Sequence, residues 1–198
     1  MANAFSRAIA AIALIVSAPL AAQVFGDSYT FLKAVKERDG NKATSLVSEP
    51  GATVVNARDR GSGDGALHYV TRDRDFRWLG FLLDKGARPD LQNNRGDTAL
   101  GIAAQIGWID GAQLLLSKRA TVDLANSRGE TPLILAVQRR DLPMVRLLMG
   151  KGANPKRTDR IAGFSALDYA RQDVRAAAIV KVLETPPAPA KSAAGPKL

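Results

Sequence analysis

The stretch GETPLILAV, Gly129 to Val137, sets a glycine, a threonine and a proline directly before a run of branched and small apolar residues. Read as the start of a helix, each has a physical reason. Gly129 permits the positive φ of a tight turn. Thr131 can cap the helix by accepting a backbone N–H, and Pro132 suits the first helical position, where no N–H is needed. Leu133, Ala136 and Val137 then fall at i, i+3 and i+4, on one helical face.

The arrangement recurs. GDGALHYVTR begins at Gly63, GDTALGIAAQ at Gly96, GETPLILAVQ at Gly129 and GFSALDYARQ at Gly163. Their anchor residues Leu67, Leu100, Leu133 and Leu167 stand 33, 33 and 34 residues apart. A second landmark keeps the same step: LLDKGA at Leu82–Ala87, LLSKRA at Leu115–Ala120 and LLMGKGA at Leu147–Ala153. Gly86 and Gly152 are placed to end their helices in the left-handed region, and Arg119 in the same slot predicts modest strain there. Two patterns on one period mark a repeat architecture.

These motifs resemble the ankyrin repeat family, whose pattern is a turn, Gly-x-Thr-Pro-Leu-His-x-Ala, and a second helix ending in Leu-Leu and a Gly-Ala loop. GETPLILA matches it with Ile134 in place of the histidine, and GDGALH supplies the histidine, His68, without the Thr-Pro. A degenerate copy runs upstream from Tyr29 to Asn56, and RAAAIVKVLE, from Arg175, supplies a last amphipathic helix. The fold expected is therefore an all-α ankyrin-repeat solenoid. It comprises about five helix–turn–helix repeats, near 25–58, 59–92, 93–125, 126–158 and 159–184, joined by short β-turn or hairpin loops. No such repeat buries its apolar stripe alone; stacking on neighbours does so. Lys33, Lys36, Glu37, Arg38 and Lys42 give the first copy the polar outside that an end repeat needs.

The flanks read differently. Residues 1–22, MANAFSRAIAAIALIVSAPLAA, carry Arg7, an uncharged apolar run from Ala8 to Ala18, the helix breaker Pro19 and then small residues. This is the layout of a secretory signal peptide, with cleavage expected after Ala22 and residues 23–184 forming the repeat domain. The apolar run falls short of the ~20 residues that span a bilayer, so no stable membrane anchor is expected after cleavage. The destination expected is the periplasm, or secretion, in a bacterium. Residues 185–198, TPPAPAKSAAGPKL, read as a disordered Pro/Ala-rich tail.

Composition narrows the chemistry. With no cysteine, the chain has no disulfides, thiolate catalysis or Cys-based metal sites, and its one histidine excludes a multi-imidazole zinc site. Aromatic residues are 6%, so the core must be built from Ala, Leu, Val and Ile, which favours helix. The formal net charge of +9 attracts anionic partners. The glycine-rich RGSGDG, Arg60 to Gly65, lacks the Gly-Lys-Ser/Thr ending of a phosphate loop and reads as a lengthened repeat turn. Asp73, Asp75, Asp110 and Asp141 lie among arginines and lysines and mark no acid–base dyad. No catalytic, metal or cofactor-binding residue is expected, and no small-molecule substrate.

The resemblance implies a non-enzymatic protein-binding module, with a possible accessory or inhibitor role, acting through turn tips and the concave first-helix face. It gives His68 a structural hydrogen bond within and between repeats. By register, the protein-binding candidates are Asn94, Arg95, Asp97, Gln105, Trp108, Ser127, Arg128, Glu130, Arg139 and Arg140, and the last turn tip adds Arg160, Ile161 and Phe164. Trp108 is read as an exposed anchor and Trp78 as half-buried between repeats. Arg95 and Arg128 share one slot in successive repeats and are suited to clamp carboxylates, which points to a partner with an acidic surface. The chain is expected to be a monomer. The alternative is electrostatic binding of an anionic envelope polymer or nucleic acid. Nucleic acid is disfavoured, because basic residues are interleaved with acidic ones and no series of stacking aromatics accompanies them.

Overall fold

The computed structural model describes residues 20–48 and 53–185, with side chains described from residue 26 onward. Most of the expected leader, residues 1–19, and the tail residues 186–198 lie outside the described residues. The described residues form ten α-helices and no strand. They are α1 (Leu20–Glu37), α2 (Gly40–Val47), α3 (Ala66–Arg72), α4 (Phe76–Asp84), α5 (Ala99–Ile106), α6 (Ile109–Ser117), α7 (Pro132–Gln138), α8 (Leu142–Gly150), α9 (Ala166–Gln172) and α10 (Ala177–Glu184). None of the described helices is long and apolar enough to cross a membrane. The helices pair in chain order, and α1, α3, α5, α7 and α9 pack in one row. Behind it, α4, α6, α8 and α10 make the second row, so the architecture is an all-α ankyrin solenoid. Among the described residues, the loops approach a hairpin at two isolated bridges, Arg58 to Gly65 and Thr158 to Ser165.

The helix starts follow the chemistry of their caps. Thr131 Oγ1 accepts from Ile134 N, with Pro132 in the first turn. Thr98 Oγ1 accepts from Gly101 N at 3.0 Å. In α9, Ser165 and Asp168 exchange side-chain and backbone bonds as a capping box. Gly86 (φ +87°) and Gly152 (φ +84°) close their repeats in the left-handed region, and Arg119 adopts φ +67° in the same slot.

The core is a continuous slab between the two rows. Ala103, Ala104 and Ala136 are fully buried and let neighbouring first helices approach. Leu79, Leu82, Leu115, Met144 and Leu148 fill the back row, each also fully buried. Of the anchor leucines, Leu67, Leu100 and Leu133 are buried, whereas Leu167, in the last of the described repeats, is half-buried.

A second device appears where the first helix of a repeat turns into the second. In the first four repeats the turn residue has positive φ and is arginine three times: Arg38 (+60°), Arg74 (+54°) and Arg140 (+58°), with Gly107 (+69°) in the third copy. Each arginine reaches one repeat forward. Arg38 binds Asp75 and Asp73 at 2.7 Å, Arg74 donates to the Ile106 carbonyl, and Arg140 pairs with Asp173. The residue after each arginine is an aspartate whose carboxylate caps the second helix: Asp39 to Lys42 N, Asp75 to Trp78 N and Asp141 to Met144 N.

Candidate functional site

The turn tips are built from one polar residue each. Asn93 Oδ1 accepts from Arg95 N and Asp97 N, and Asn126 Oδ1 accepts from Arg128 N and Glu130 N. Asp59 and Asp159 do the same work in the two longer turns, accepting from Gly61 N and Ser62 N, and from Ile161 N, Ala162 N and Gly163 N. Backbone donors of the tip hold the Asp59 carboxyl below its ordinary pKa.

Successive tips are tied backbone to backbone. Asn94 N donates to Ser62 O at 3.0 Å, Ser127 N to Arg95 O at 2.9 Å, and Arg160 N to Arg128 O at 2.7 Å. This explains the repeated glycine beyond its positive φ. A Cβ at Gly96 would lie 2.6 Å from Ser127 N, and one at Gly129 would lie 2.7 Å from Arg160 N. The glycine lets the next tip come within hydrogen-bonding distance.

Beneath the first two tips lies a buried polar strut. Asp64, 6% exposed, takes two bonds from Arg72 at 2.8 and 2.9 Å and one from Asn93 Nδ2 at 2.8 Å. Burial pushes its carboxyl up, but the Arg72 and Asn93 bonds override this and hold it down at about 2. His68 is fully buried alongside. Its Nδ1 accepts from Gly65 N and its Nε2 donates to the Asp97 carbonyl of the next repeat, each at 2.9 Å. Burial lowers its pKa, which keeps the ring neutral. One ring nitrogen thus braces its own repeat and the other joins it to the next.

The structure gathers six of the sequence candidates around one hollow of about 390 Å³: Arg95, Asp97, Gln105, Ser127, Arg128 and Glu130, with Asn126 and Leu135 completing its wall. Its ion pairs are lopsided. Arg95 Nε binds Asp97 at 2.9 Å, with the arginine side chain 72% exposed and the carboxylate 14%. Arg128 binds Glu130 at 2.7 Å, with 61% against 9%. The carboxylates are recessed and the guanidiniums face outward, so an approaching molecule meets positive charge. The Glu130 bond and charge raise the Arg128 pKa further, so its charge is permanent.

Four candidates stand elsewhere. Asn94 is exposed but serves the neighbouring tip, donating to Gly61 O and accepting from Arg58. Arg139 and Arg140 follow the opposite end of α7 from Arg128, with Arg140 engaged to Asp173. Trp108 is not an exposed anchor. It is 7% exposed, and its ring folds over the first turn of its own helix onto Gly111, where a Cβ would sit 2.2 Å from the ring. It stands in the slot that aspartate caps in three other repeats, and the absent Cβ of Gly111 gives it room. Trp78 is half-buried, with Phe81 edge-on at 5.4 Å.

Two features escaped the reading of the sequence. The Arg-Asp pairs at 38–39, 74–75 and 140–141 recur in register and were visible there, masked by Gly107-Trp108 in the third copy. The Asp64–Arg72–Asn93 strut had no such signal, because it joins residues from three segments of one non-repeated interface.

Residues 67–159 match the family model described as ankyrin repeats, in three copies. That stretch of the chain carries ankyrin repeats. Ankyrin repeats generally mediate binding of protein partners and are typically non-enzymatic. Among the described residues, no group of three or more His, Asp or Glu side chains is placed to hold a metal ion.

Proposed function

We propose that this ankyrin-repeat chain is an exported, non-enzymatic binding module that docks an acidic protein surface on its turn tips and concave hollow. The observation that carries the reading is the asymmetry of the two ion pairs, with Arg95 and Arg128 outward over recessed Asp97 and Glu130. Bidentate donors facing solvent suit carboxylates. The leader-like N-terminus supports passage out of the cytoplasm to the periplasm, and a mature chain beginning at Gln23, read by N-terminal sequencing of the protein from its native cells, tests that step.

The binding test removes charge without leaving a buried carboxylate unpaired. Reversing Arg128 alone would set a second carboxylate against Glu130, so folding and binding would change together. The coupled variants Arg95→Gln with Asp97→Asn, and Arg128→Gln with Glu130→Gln, avoid this. A partner is recovered by crosslinking from native cells, purified and titrated against each variant. Affinity reduced about ten-fold or more in a folded variant is expected; unchanged affinity removes these tips from the interface. An anionic polymer as the true ligand would instead show affinity that collapses with salt on any polyanion, whatever its shape.

A further inference from the structure

The fourth turn tip differs from the others in a way that turn geometry does not demand. Asp59–Gly65 and Asp159–Ser165 are turns of the same length, each shaped by its leading aspartate and closed by an isolated bridge. Where the first carries Gly61 and Asp64, the fourth carries Ile161 and Phe164. Ile161 is 76% exposed and Phe164 36% exposed. A turn tip ordinarily favours small polar residues, and the same turn is built in this chain without either hydrophobe.

The apolar pair is also held in place. Asp159 Oδ1 accepts from the backbone N–H groups of Ile161, Ala162 and Gly163, and Asp159 Oδ2 accepts from the Tyr169 hydroxyl. Phe164 stands edge-on to Tyr169 at 5.5 Å. The tip therefore loses little freedom when something covers it. Its surroundings are cationic: Arg160 directly precedes Ile161 and its N–H donates to the Arg128 carbonyl of the neighbouring tip, whose guanidinium faces outward, while Asp159 and Glu130 are both buried.

We infer that Ile161, flanked by Phe164, is the apolar anchor of the interface, and that the docked protein segment carries an apolar side chain bordered by carboxylates. This rests on the reading of the tips as a protein-binding face and adds where its centre lies. The arginines steer and orient the segment; the apolar tip holds it. Burial of a preorganised hydrophobe ringed by polar contacts is the usual composition of a binding hot spot.

The test uses the full chain as bait for a random displayed-peptide library, and the best peptide is synthesised and titrated. Enriched peptides are expected to combine Glu or Asp with a neighbouring apolar residue. Ile161→Ser is expected to weaken the best one about ten-fold or more while leaving its salt dependence unchanged. The coupled Arg128→Gln, Glu130→Gln variant is expected to flatten that salt dependence. Peptides without an apolar residue, or affinity indifferent to Ile161→Ser, overturn this inference and leave the protein-binding face standing. Failure to enrich any peptide overturns both. Vesicles of phosphatidylcholine with phosphatidylglycerol are the parallel arm: binding to them that Ile161→Ser abolishes assigns the tip to a membrane surface and overturns the inference.

Discussion

Acid should loosen the strut beneath the tips in a measurable way. The Asp64 carboxyl sits at about 2 in the folded chain against an ordinary value of 3.8. Each unit of such a difference corresponds to about 1.4 kcal/mol, so the ionised form contributes about 2 kcal/mol to folding. The sign follows from the direction. A carboxyl depressed on folding stabilises fully above its unfolded value and loses that contribution as pH falls through its folded value. The window therefore opens near pH 4.5 and closes near pH 2. The assay is urea unfolding of the wild type and of Asp64→Asn at a series of pH values across and above that window. Other acids titrate in both proteins and cancel in the difference. The stability gap between the two should shrink by about 2 kcal/mol from pH 6 to pH 2. A gap that stays constant with pH would show that the Arg72 and Asn93 bonds do not favour the ionised carboxylate, and the strut would lose its electrostatic basis.

Gly96→Ala and Gly86→Ala separate the two roles of a left-handed glycine. Gly86 has open space where a Cβ would go, so alanine there should cost only the backbone strain, about 1 kcal/mol. Gly96 adds a clash with the Ser127 backbone and should cost at least about 2 kcal/mol, read from the same urea midpoints; equal costs would refute the close-approach account. Gly111→Ala should displace the Trp108 ring, lowering stability by about 1–3 kcal/mol. In a Trp78→Phe background the emission should move to the red, and an unshifted spectrum would contradict the packing. Thr71 Oγ1 is buried without a hydrogen-bond partner, so Thr71→Val should raise stability by about 1 kcal/mol in thermal unfolding. A loss instead would mean that the hydroxyl is satisfied.

Much of the array was written locally. The 33-residue step, the Thr-Pro helix start at Thr131 and Pro132, and the closing glycines Gly86 and Gly152 depend on neighbours in the chain, and each kept its expected place. The candidate face was legible in part for the same reason. Arg95 and Arg128 share a slot, and a periodic backbone brings equal slots together. Register fixes where a residue's Cα lies, but not where its side chain turns.

Trp108 is the clearest case of that difference. Its position on the repeat suggested an exposed ring, yet a glycine three residues on offers room that only the folded helix reveals. Likewise the sequence offered Arg95 and Arg128 as carboxylate clamps and Asp97 and Glu130 as candidates beside them, with nothing to rank acid against base. Only the packing of the tips decided that each acid is recessed and each arginine faces outward. The chain itself determined the repeat, its caps and its turns, because these are set by backbone conformation over a few residues. Tertiary structure decided which charges and apolar groups a partner can touch, because exposure depends on what the neighbouring repeats cover.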